Sequence, residues 1–325
     1  MTPLERALRE RIQGEGPITV ETFMEACNSY YYATRDPLGA AGDFTTAPEI
    51  SQMFGEMVGA CLADVWARAG APPKSAYVEL GPGRGTLAAD ALRVLRSAGF
   101  AGEVHLVETS PVLREAQKEM VAGAHWHQTI DDLPAQPLLL VANEFLDALP
   151  IQQFIHGTER RIAVAAGGLA FDRDGDTVEL SPAREQAVRS VAERLAKYGG
   201  AAIFIDYGHE RSGRGDTLQA VRRHRFAPVL ADPGEQDLTS HVDFEAVMRA
   251  ARAAGAAVAP VVAQRDWLGR LGIEARAATL SRCNPERAGD IRVALDRLTT
   301  GDAMGELFKV VAIHSPDWPT PAGFA

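Results

Sequence analysis

The sequence has few cysteines and none of the cysteine and histidine spacings that are typical of metal sites. Its three cysteines, Cys27, Cys61 and Cys283, are odd in number and lie far apart along the chain. A set of this kind builds no disulfide framework and is typical of a reducing compartment. We therefore predict a protein without a metal centre and without structural disulfides.

Long apolar runs and clusters of basic side chains are also missing. No apolar run approaches the roughly 18 residues that a bilayer-spanning helix needs, so we predict no membrane insertion. The formal net charge is −10, and the arginines and lysines form no basic stripe, which makes nucleic acid a poor partner. The N-terminal stretch MTPLERALRERI contains acids and no apolar core, unlike a secretory signal or a mitochondrial transit peptide.

What the chain does have is the composition of an ordinary globular protein, with 46% hydrophobic and 23% charged residues. Its 325 residues suffice for one large domain with additions or for two domains. We expect an N-terminal helical segment over 1–75, in which one long helix buries the apolar residues between positions 50 and 66. Residues 76–315 are expected to form the main domain, with insertions near 151–182, 208–240 and 264–305.

From residue 76 the pattern alternates between apolar strands and helices, which predicts a doubly wound α/β sheet with mostly parallel strands. The predicted strands are 76–80, 103–108, 138–142, 201–205 and 307–314. The predicted helices lie near 85–97, 110–121, 183–197, 242–254 and 286–299. Within the insertions, Gly167 and Gly168 predict a hairpin, whereas 208–240 is expected to be irregular. Ligands of such sheets bind beyond the carboxyl ends of the strands.

The most informative stretch is VELGPGRGT, residues 78–86, where a strand carrying Glu79 breaks into Gly81, Gly83 and Gly85 before a helix. Glycines at such a turn let a ligand approach the backbone. The spacing differs from the G-x-G-x-x-G of dinucleotide sites, and a carboxylate beside a pyrophosphate would be repelled. The next strand ends at Glu108, an acid placed to bind ribose hydroxyls. These features predict a cationic nucleoside, and S-adenosylmethionine fits.

Further candidates follow the later strands. Asn143, Glu144 and Asp147 come after the third strand, and Asp206 after the fourth. His241 and Asp243 lie further along in a loop. Thr46, which precedes the predicted long helix, is a candidate for cofactor binding together with Glu79, and helix capping is its alternative role. Carboxylates at the sheet edge can hold a cationic nucleophile in front of a methyl group. Two alternatives stay open for the same residues: proton transfer in a hydrolytic reaction, or a solvated loop without a catalytic role.

At these residues the chain resembles the MidA family, whose mitochondrial members are complex I assembly methyltransferases. The resemblance covers about residues 3–314 and rests on five blocks in the same order: 42–56, 78–87, 142–154, 204–209 and 237–244. It implies the fold of class I S-adenosylmethionine-dependent methyltransferases, with a Rossmann-like, mostly parallel seven-stranded sheet. It also implies transfer to an arginine of a protein, by analogy with a mitochondrial relative that dimethylates a quinone-module subunit of complex I. A bacterial cytoplasmic location is the expectation for this chain.

The resemblance carries specific residues with it. The glycine turn and Glu108 are expected to bind S-adenosylmethionine, with Asn143, Glu144 and Asp147 as the family's motif after the strand. For the mechanism, paired carboxylates bind a guanidinium and draw charge from the attacking nitrogen. Glu144 and Asp147 are the first candidates, and Asp206 and Asp243 the second. His241 is a candidate for the group that accepts the released proton, and S-adenosylhomocysteine is the expected product.

Three other readings stay open at this stage. The protein could be a small-molecule methyltransferase on the same fold, or an assembly factor that binds S-adenosylmethionine without catalysis. A dinucleotide oxidoreductase is the third, and Glu79 argues against it. The sequence predicts no oligomeric state.

Overall fold

A computed structural model of the protein describes residues 1–36, 39, 42, 43 and 45–324. Its helices are, in chain order, α1 (Pro3–Glu15), α2 (Val20–Thr34), α3 (Ala47–Ile50), α4 (Gln52–Arg68), α5 (Thr86–Ser97), α6 (Pro111–Met120), α7 (Pro182–Tyr198), α8 (Phe244–Ala253), α9 (Gln264–Leu271), α10 (Ile273–Cys283), α11 (Ala288–Thr299) and α12 (Met304–Leu307). Single 3-10 turns lie at Ile130–Asp132 and Pro285–Arg287. No helix in this part of the chain is long and apolar enough to cross a membrane.

The strands form one large sheet and three small antiparallel ones. They are β1 (Ile18–Thr19), β2 (Ala76–Leu80), β3 (Val104–Val107), β4 (His125–His127), β5 (Leu138–Asn143), β6 (Gln152–Ile155), β7 (Thr158–Glu159), β8 (Arg161–Ala165), β9 (Gly168–Phe171), β10 (Thr177–Leu180), β11 (Gly200–His209), β12 (Gln219–Arg222), β13 (Arg225–Ala227), β14 (Asp237–Thr239), β15 (Val242–Asp243), β16 (Ala257–Val258), β17 (Val262–Ala263) and β18 (Phe308–His314).

The large sheet confirms the predicted α/β architecture. Seven strands run across it in the order β16-β18-β11-β5-β2-β3-β4, while β15 pairs with β11 and β17 with β18. From β4 to β11 all neighbours are parallel, and β18 lies antiparallel to β11. Because the parallel strands share one direction, their carboxyl ends meet at one edge.

Each face of this sheet is covered by helices, as the continuous apolar strands predict. Alternate residues of β5 point to opposite faces: Leu139 and Val141 pack with the helices α4 and α5, whereas Leu140 packs with α7 and α8. The period of two along the strand therefore decides which helix layer each side chain meets.

The N-terminal residues add a third apolar cluster at the carboxyl edge of the sheet. Leu8 of α1 and Phe23 of α2 are buried there against Ile151, Ile162 and Leu238. Strand β1 pairs antiparallel with β8, so this part of the chain and the strands after residue 150 form one layer. Helix α2 is thereby held over the ends of the parallel strands.

Two expectations about local structure were wrong. The single long helix is divided at Ser51, which is extended (φ −163°, ψ 140°) and caps α4 by accepting a hydrogen bond from Met53 N at 3.2 Å. A serine hydroxyl at the N-cap position accepts a hydrogen bond from a free backbone amide of the first helical turn, which favours the start of a new helix at Ser51. The region 208–240 is not irregular throughout, because β12 pairs antiparallel with both β13 and β14.

The predicted hairpin at Gly167 and Gly168 is confirmed by the pairing of β8 with β9.

The crossing of α4 and α5 depends on a missing side chain at Gly59. A Cβ atom there would lie 2.6 Å from Ala91 O and 2.8 Å from Ala91 Cα. We expect Gly59→Ala to lower the free energy of unfolding by about 1–3 kcal/mol, because overpacking pushes two backbones apart. Chemical denaturation measures the change. In Gly14→Ala of α1, the new Cβ would have no described atom within 4 Å, so this control should be neutral or slightly stabilising. Equal destabilisation of both variants would contradict the packing argument.

Candidate functional site

A cavity of about 550 Å³ opens at the carboxyl ends of β2, β3 and β5. This volume lies in the range of small-molecule and cofactor sites. The glycine turn after β2 forms one wall, and the residues after β5 form another. Helix α2 closes a third side with Asn28, Ser29 and Tyr32. The predicted residues Thr46, Glu79, Gly81, Gly83, Glu108, Asn143 and Glu144 all line this cavity.

The glycine turn has backbone angles that other residues rarely adopt. Gly81, Gly83 and Gly85 have φ values of 60°, 54° and 89°. A Cβ at Gly81 would stand 3.0 Å from the Phe145 ring, and one at Gly85 would stand 3.0 Å from Val121. Gly85 is the left-handed N-cap of α5, which begins the helix without a side chain. The turn therefore brings bare backbone to the cavity, as a ligand cradle requires.

Glu79 is buried at the floor of the cavity. Its carboxylate accepts a hydrogen bond from the Tyr77 hydroxyl at 2.7 Å, and no described cation lies within ion-pair distance. Burial raises the pKa of Glu79 to about 8, although the Tyr77 hydrogen bond partly opposes this. A buried acid without a counter-ion is costly to ionise, so a cationic ligand would stabilise its charged form.

Glu108 occupies the position predicted for a ribose-binding acid. It accepts hydrogen bonds from Ser110 N at 2.8 Å and from Gln117 Nε2 at 3.2 Å, which orient its carboxylate. Burial raises the pKa of Glu108. The Ser110 hydroxyl in turn donates to the backbone carbonyl of Tyr32 at 2.6 Å, so the end of β3 is fastened to α2.

Thr46 and Glu49 line the cavity beside the glycine turn. The Thr46 side chain makes no capping bond to α3, so the alternative role that the sequence left open is not used. Glu49 accepts a hydrogen bond from the Thr86 hydroxyl at 2.6 Å, which joins α3 to the start of α5. Glu49 and the cavity-lining residues of α2 carry no local signal of a site in the sequence, because a helix that only packs on a core has the same pattern.

Glu144 has a strained backbone and a crowded carboxyl group. Its φ of 50° is unusual for a residue other than glycine, and such strain is found mostly at functional sites. Its Oε1 accepts hydrogen bonds from Ala47 N at 3.2 Å and Asn143 Nδ2 at 3.1 Å. Burial, and secondly the charge of Asp147, raises the pKa of Glu144 to about 8. Asn143 Oδ1 is buried and has no hydrogen-bond partner among the described residues.

Asp147 and Asp206 do not line the cavity but support the loop that does. Asp206 Oδ2 accepts hydrogen bonds from Leu146 N at 2.9 Å and Asp147 N at 3.3 Å. Both acids are almost fully buried, and burial raises the pKa of each. Asp147 Oδ1 has no partner within the described part of the chain.

His241 and Asp243 lie elsewhere. Both line a second cavity of about 530 Å³, between the starts of α7 and α8. Asp243 caps α8 by accepting a hydrogen bond from Ala246 N at 3.0 Å, and it also accepts one from the Ser212 hydroxyl at 2.6 Å. Burial lowers the pKa of His241. These two candidate catalytic residues therefore lie apart from Asn143 and Glu144, which line the first cavity.

The first cavity fits S-adenosylmethionine. The glycine turn offers backbone without side chains, Glu79 suits the positive charge of that molecule, and Glu108 suits its ribose hydroxyls. Glu79, Glu108 and the glycines would hold it, with Thr46 beside them.

We expect Gly83→Val to abolish binding of this cofactor, with the dissociation constant rising at least about a hundredfold. The reason is twofold: valine is strained at a φ of 54°, and its side chain would fill the cradle. Calorimetric titration measures the affinity. Gly70→Val is a matched control, since its φ of 86° imposes similar strain away from the cavity. Retained affinity in Gly83→Val would refute the predicted cradle.

The raised pKa of Glu79 makes cofactor binding pH-dependent. Below a pH of about 8 the free carboxyl is protonated, and a cationic ligand binds the ionised form more tightly. Affinity should therefore rise with pH, by up to about tenfold per unit, and level off above about 8. The ligand's own amino group titrates in this range, so Glu79→Gln serves as the control. An identical pH profile in the variant and the native protein would remove Glu79 from the binding site.

Comparisons with known proteins agree with this site. A family described as "Putative S-adenosyl-L-methionine-dependent methyltransferase" matches residues 57–167 and 158–262. The mitochondrial "Protein arginine methyltransferase NDUFAF7" of Xenopus laevis is 33% identical over 93% of this chain and 82% of its own length. The protein of that name from Homo sapiens is also 33% identical, over 96% of this chain and 83% of its own length.

Solved structures show the same fold. A "likely methyl transferase" from Burkholderia thailandensis, crystallised with S-adenosyl-homocysteine, superimposes with a TM-score of 0.86. It is 28% identical and covers 98% of this chain and 93% of its own. These similarities confirm the resemblance found in the sequence, and the chain belongs to this family of S-adenosylmethionine-dependent methyltransferases.

Proposed function

We propose that this protein transfers a methyl group from S-adenosylmethionine to an arginine side chain of another protein. The observation that carries the proposal is that Glu144 and Asn143 lie side by side at the wall of the cofactor cavity, and that Asn143 Oδ1 has no hydrogen-bond donor among the described residues. Both are acceptors, and a guanidinium offers five donors in a planar fork. The names of the curated relatives support the same acceptor.

The finer parts of the proposal rest on the family. A subunit of respiratory complex I, in its quinone module, is the proposed target, and the bacterial cytoplasm is the proposed location. The acidic net charge of −10 agrees in sign with a substrate segment that presents arginine.

Glu144 is proposed to bind and orient the acceptor. An ionised carboxylate beside the guanidinium localises its positive charge on the nitrogens that donate to it, which leaves more electron density on the attacking nitrogen. Asp206 holds the loop by accepting hydrogen bonds from Leu146 N and Asp147 N. When bound, S-adenosylmethionine supplies a methyl group on a positively charged sulfur, already activated for displacement.

The protein's main contribution is then position and electrostatics. Transfer would form one N–C bond while the bond between the methyl carbon and sulfur breaks and leaves its electron pair on the sulfur, and one proton leaves the acceptor nitrogen. Glu144 is the proposed first recipient of that proton, since its pKa of about 8 allows a carboxylate to take up a proton near neutral pH. His241 is not included, because it lines the second cavity.

Mass spectrometry of complex I subunits from a deletion strain tests the target. Loss of a specific methylarginine, restored by the native gene, is the expected result. Unchanged methylation of every arginine would refute a complex I target. Incubation of the purified protein with radiolabelled S-adenosylmethionine and a deletion-strain lysate then separates the alternatives: label in metabolites indicates a small-molecule methyltransferase, and no label at all indicates a non-catalytic binder.

We expect Glu144→Gln to leave cofactor affinity nearly unchanged and to lower turnover by at least about a hundredfold, as for loss of an acid in direct contact with the reacting group. Calorimetry and methyl-transfer assays measure the two quantities separately. His241→Asn is the control and should keep turnover within about threefold of the native value, since His241 lies in the second cavity. Full activity of Glu144→Gln would exclude an essential role for this acid.

A further inference from the structure

Four carboxyl groups from separate parts of the chain come together beside the cavity. Glu144 and Asp147 follow β5, Asp206 lies on β11 and Asp237 on β14. Asp147, Asp206 and Asp237 are 4%, 1% and 5% exposed, while Glu144 reaches the cavity itself. Four negative charges in so buried a place would repel one another strongly.

Only limited positive charge faces this group. Arg184 of α7 is buried nearby, but its guanidinium donates to backbone carbonyls, namely Leu146 O at 2.6 Å, His241 O at 2.8 Å and Asp147 O at 3.0 Å. None of the four carboxylates forms an ion pair within 4.0 Å with a cation in the described ranges. The charge of Arg184 favours the ionised forms of Asp147 and Asp206, but burial outweighs it and raises the pKa of both.

Asp237 is tied to the cavity wall by helix α2. The Tyr32 hydroxyl, on the cavity wall, donates to Asp237 Oδ1 at 2.8 Å. The next residue of β14, Leu238, is also hydrogen-bonded to α2. Asn28 Nδ2 donates to Leu238 O at 2.8 Å, and Asn28 Oδ1 accepts from Leu238 N at 3.2 Å. Burial, then the charge of Asp147, raises the pKa of Asp237 to about 7. The sequence alone predicts no role for Asp237.

Two further acceptors lack partners. Asn143 Oδ1 and Asp147 Oδ1 are buried and find no donor among the described residues, and Asn143 lines the cavity. A buried acceptor without a donor is unfavourable and is expected to gain one when a ligand binds. Within the described part of the chain, the site therefore holds two buried acceptors without donors and carboxylates without an ion pair, and a guanidinium supplies both donors and positive charge.

We propose that the acceptor guanidinium enters this site in exchange for a proton on Glu144, and that Asp237, positioned by Tyr32, tunes this exchange from behind. The inference rests on the proposed function and specifies how that site recognises its substrate. In the free protein the Glu144 carboxyl carries a proton. The incoming guanidinium donates hydrogen bonds to the carboxylate, the proton passes to solvent, and charge is conserved because one cation replaces another.

The direction of the pH effect follows from the groups around Glu144. The charges that act on it directly are those of Asp147 in its own loop, Asp206 on β11 and Asp237 on β14. The other titratable or charged groups along the same cavity are Glu25 and Tyr32 on α2, Glu49 on α3, Glu79 on β2, Arg84 in the glycine turn and Glu108 after β3. Behind them, Arg184 and Tyr207 act on Asp147 and Asp206, and Asp43 acts on Asp237. The acids predominate, so the free carboxyl holds its proton to a pKa of about 8. Acceptor affinity should then rise with pH up to about 8 and be constant above it.

The experiment is calorimetric titration of the protein loaded with S-adenosylhomocysteine, using N-acetyl-arginine methylamide as the probe. Measurement in two buffers of different ionisation heat counts the protons released. We expect about one proton per probe at pH 7 and close to none at pH 9.5. The affinity should rise by up to about tenfold per pH unit below 8. The neutral analogue N-acetyl-citrulline methylamide should release no proton.

Three variants make the test specific. In Glu144→Gln, proton release should be lost. In Asp237→Asn, which keeps the shape of the side chain, the affinity profile should move to lower pH, because a charge that opposes ionisation of Glu144 is gone. Asp64→Asn on α4 alters an acid outside the cavity and should leave the profile unchanged. A purely structural role for Asp237 would change affinity equally at every pH.

The outcomes separate the two levels of the proposal. Probe binding without proton release, or an unshifted profile in Asp237→Asn, overturns this inference and leaves arginine methylation standing. Absence of probe binding at every pH, together with absence of any methylated arginine in the lysate assay, overturns both.

Discussion

The structure depends on buried carboxylates that share one edge of a parallel sheet. Glu79, Glu144 and Asp206 come from β2, β5 and β11, whose common direction brings their carboxyl ends together. In the described structure these acids find hydrogen-bond donors but no ion pairs. Because a buried charge without a partner is costly, burial raises the pKa of these acids, and a cation would stabilise their ionised forms. Both a sulfonium cofactor and a guanidinium acceptor are such cations.

Helix α2 completes this site from outside the main sheet. It contributes Tyr32 and Asn28 to the cavity wall. The backbone carbonyl of Tyr32 also accepts a hydrogen bond from the hydroxyl of Ser110, the N-cap residue of α6. The same helix packs on the small strands after residue 150 and on β14. Helix α2 thus contacts both the part of the site beside Glu108, proposed for the cofactor, and the part beside Asp237, proposed for the acceptor. A disturbance of α2 would reach both, which explains why N-terminal residues belong to the functional part of the molecule.

The two cavities show how similar residue types acquire different roles. Glu144 sits at a strained turn, close to the glycine cradle, whereas Asp243 ends a short strand and caps a helix. Both are acids that follow strands of the same sheet. Capping satisfies free amide groups and fully explains Asp243. Nothing of that kind explains a φ of 50° at Glu144, and strain of this sort is typically retained where function needs it.

The sequence by itself determined the α/β fold, the glycine turn and the acids after the strands, because apolar periodicity and glycine conformation are local properties. It also determined the family, through blocks of residues in order. Only the tertiary structure decided which acids meet. His241 and Asp243 line a second cavity, while α2 brings Tyr32 to the wall of the first, with Asp237 of β14 hydrogen-bonded behind it. Contacts between residues about 200 positions apart leave no local signal, since they arise from how distant elements pack.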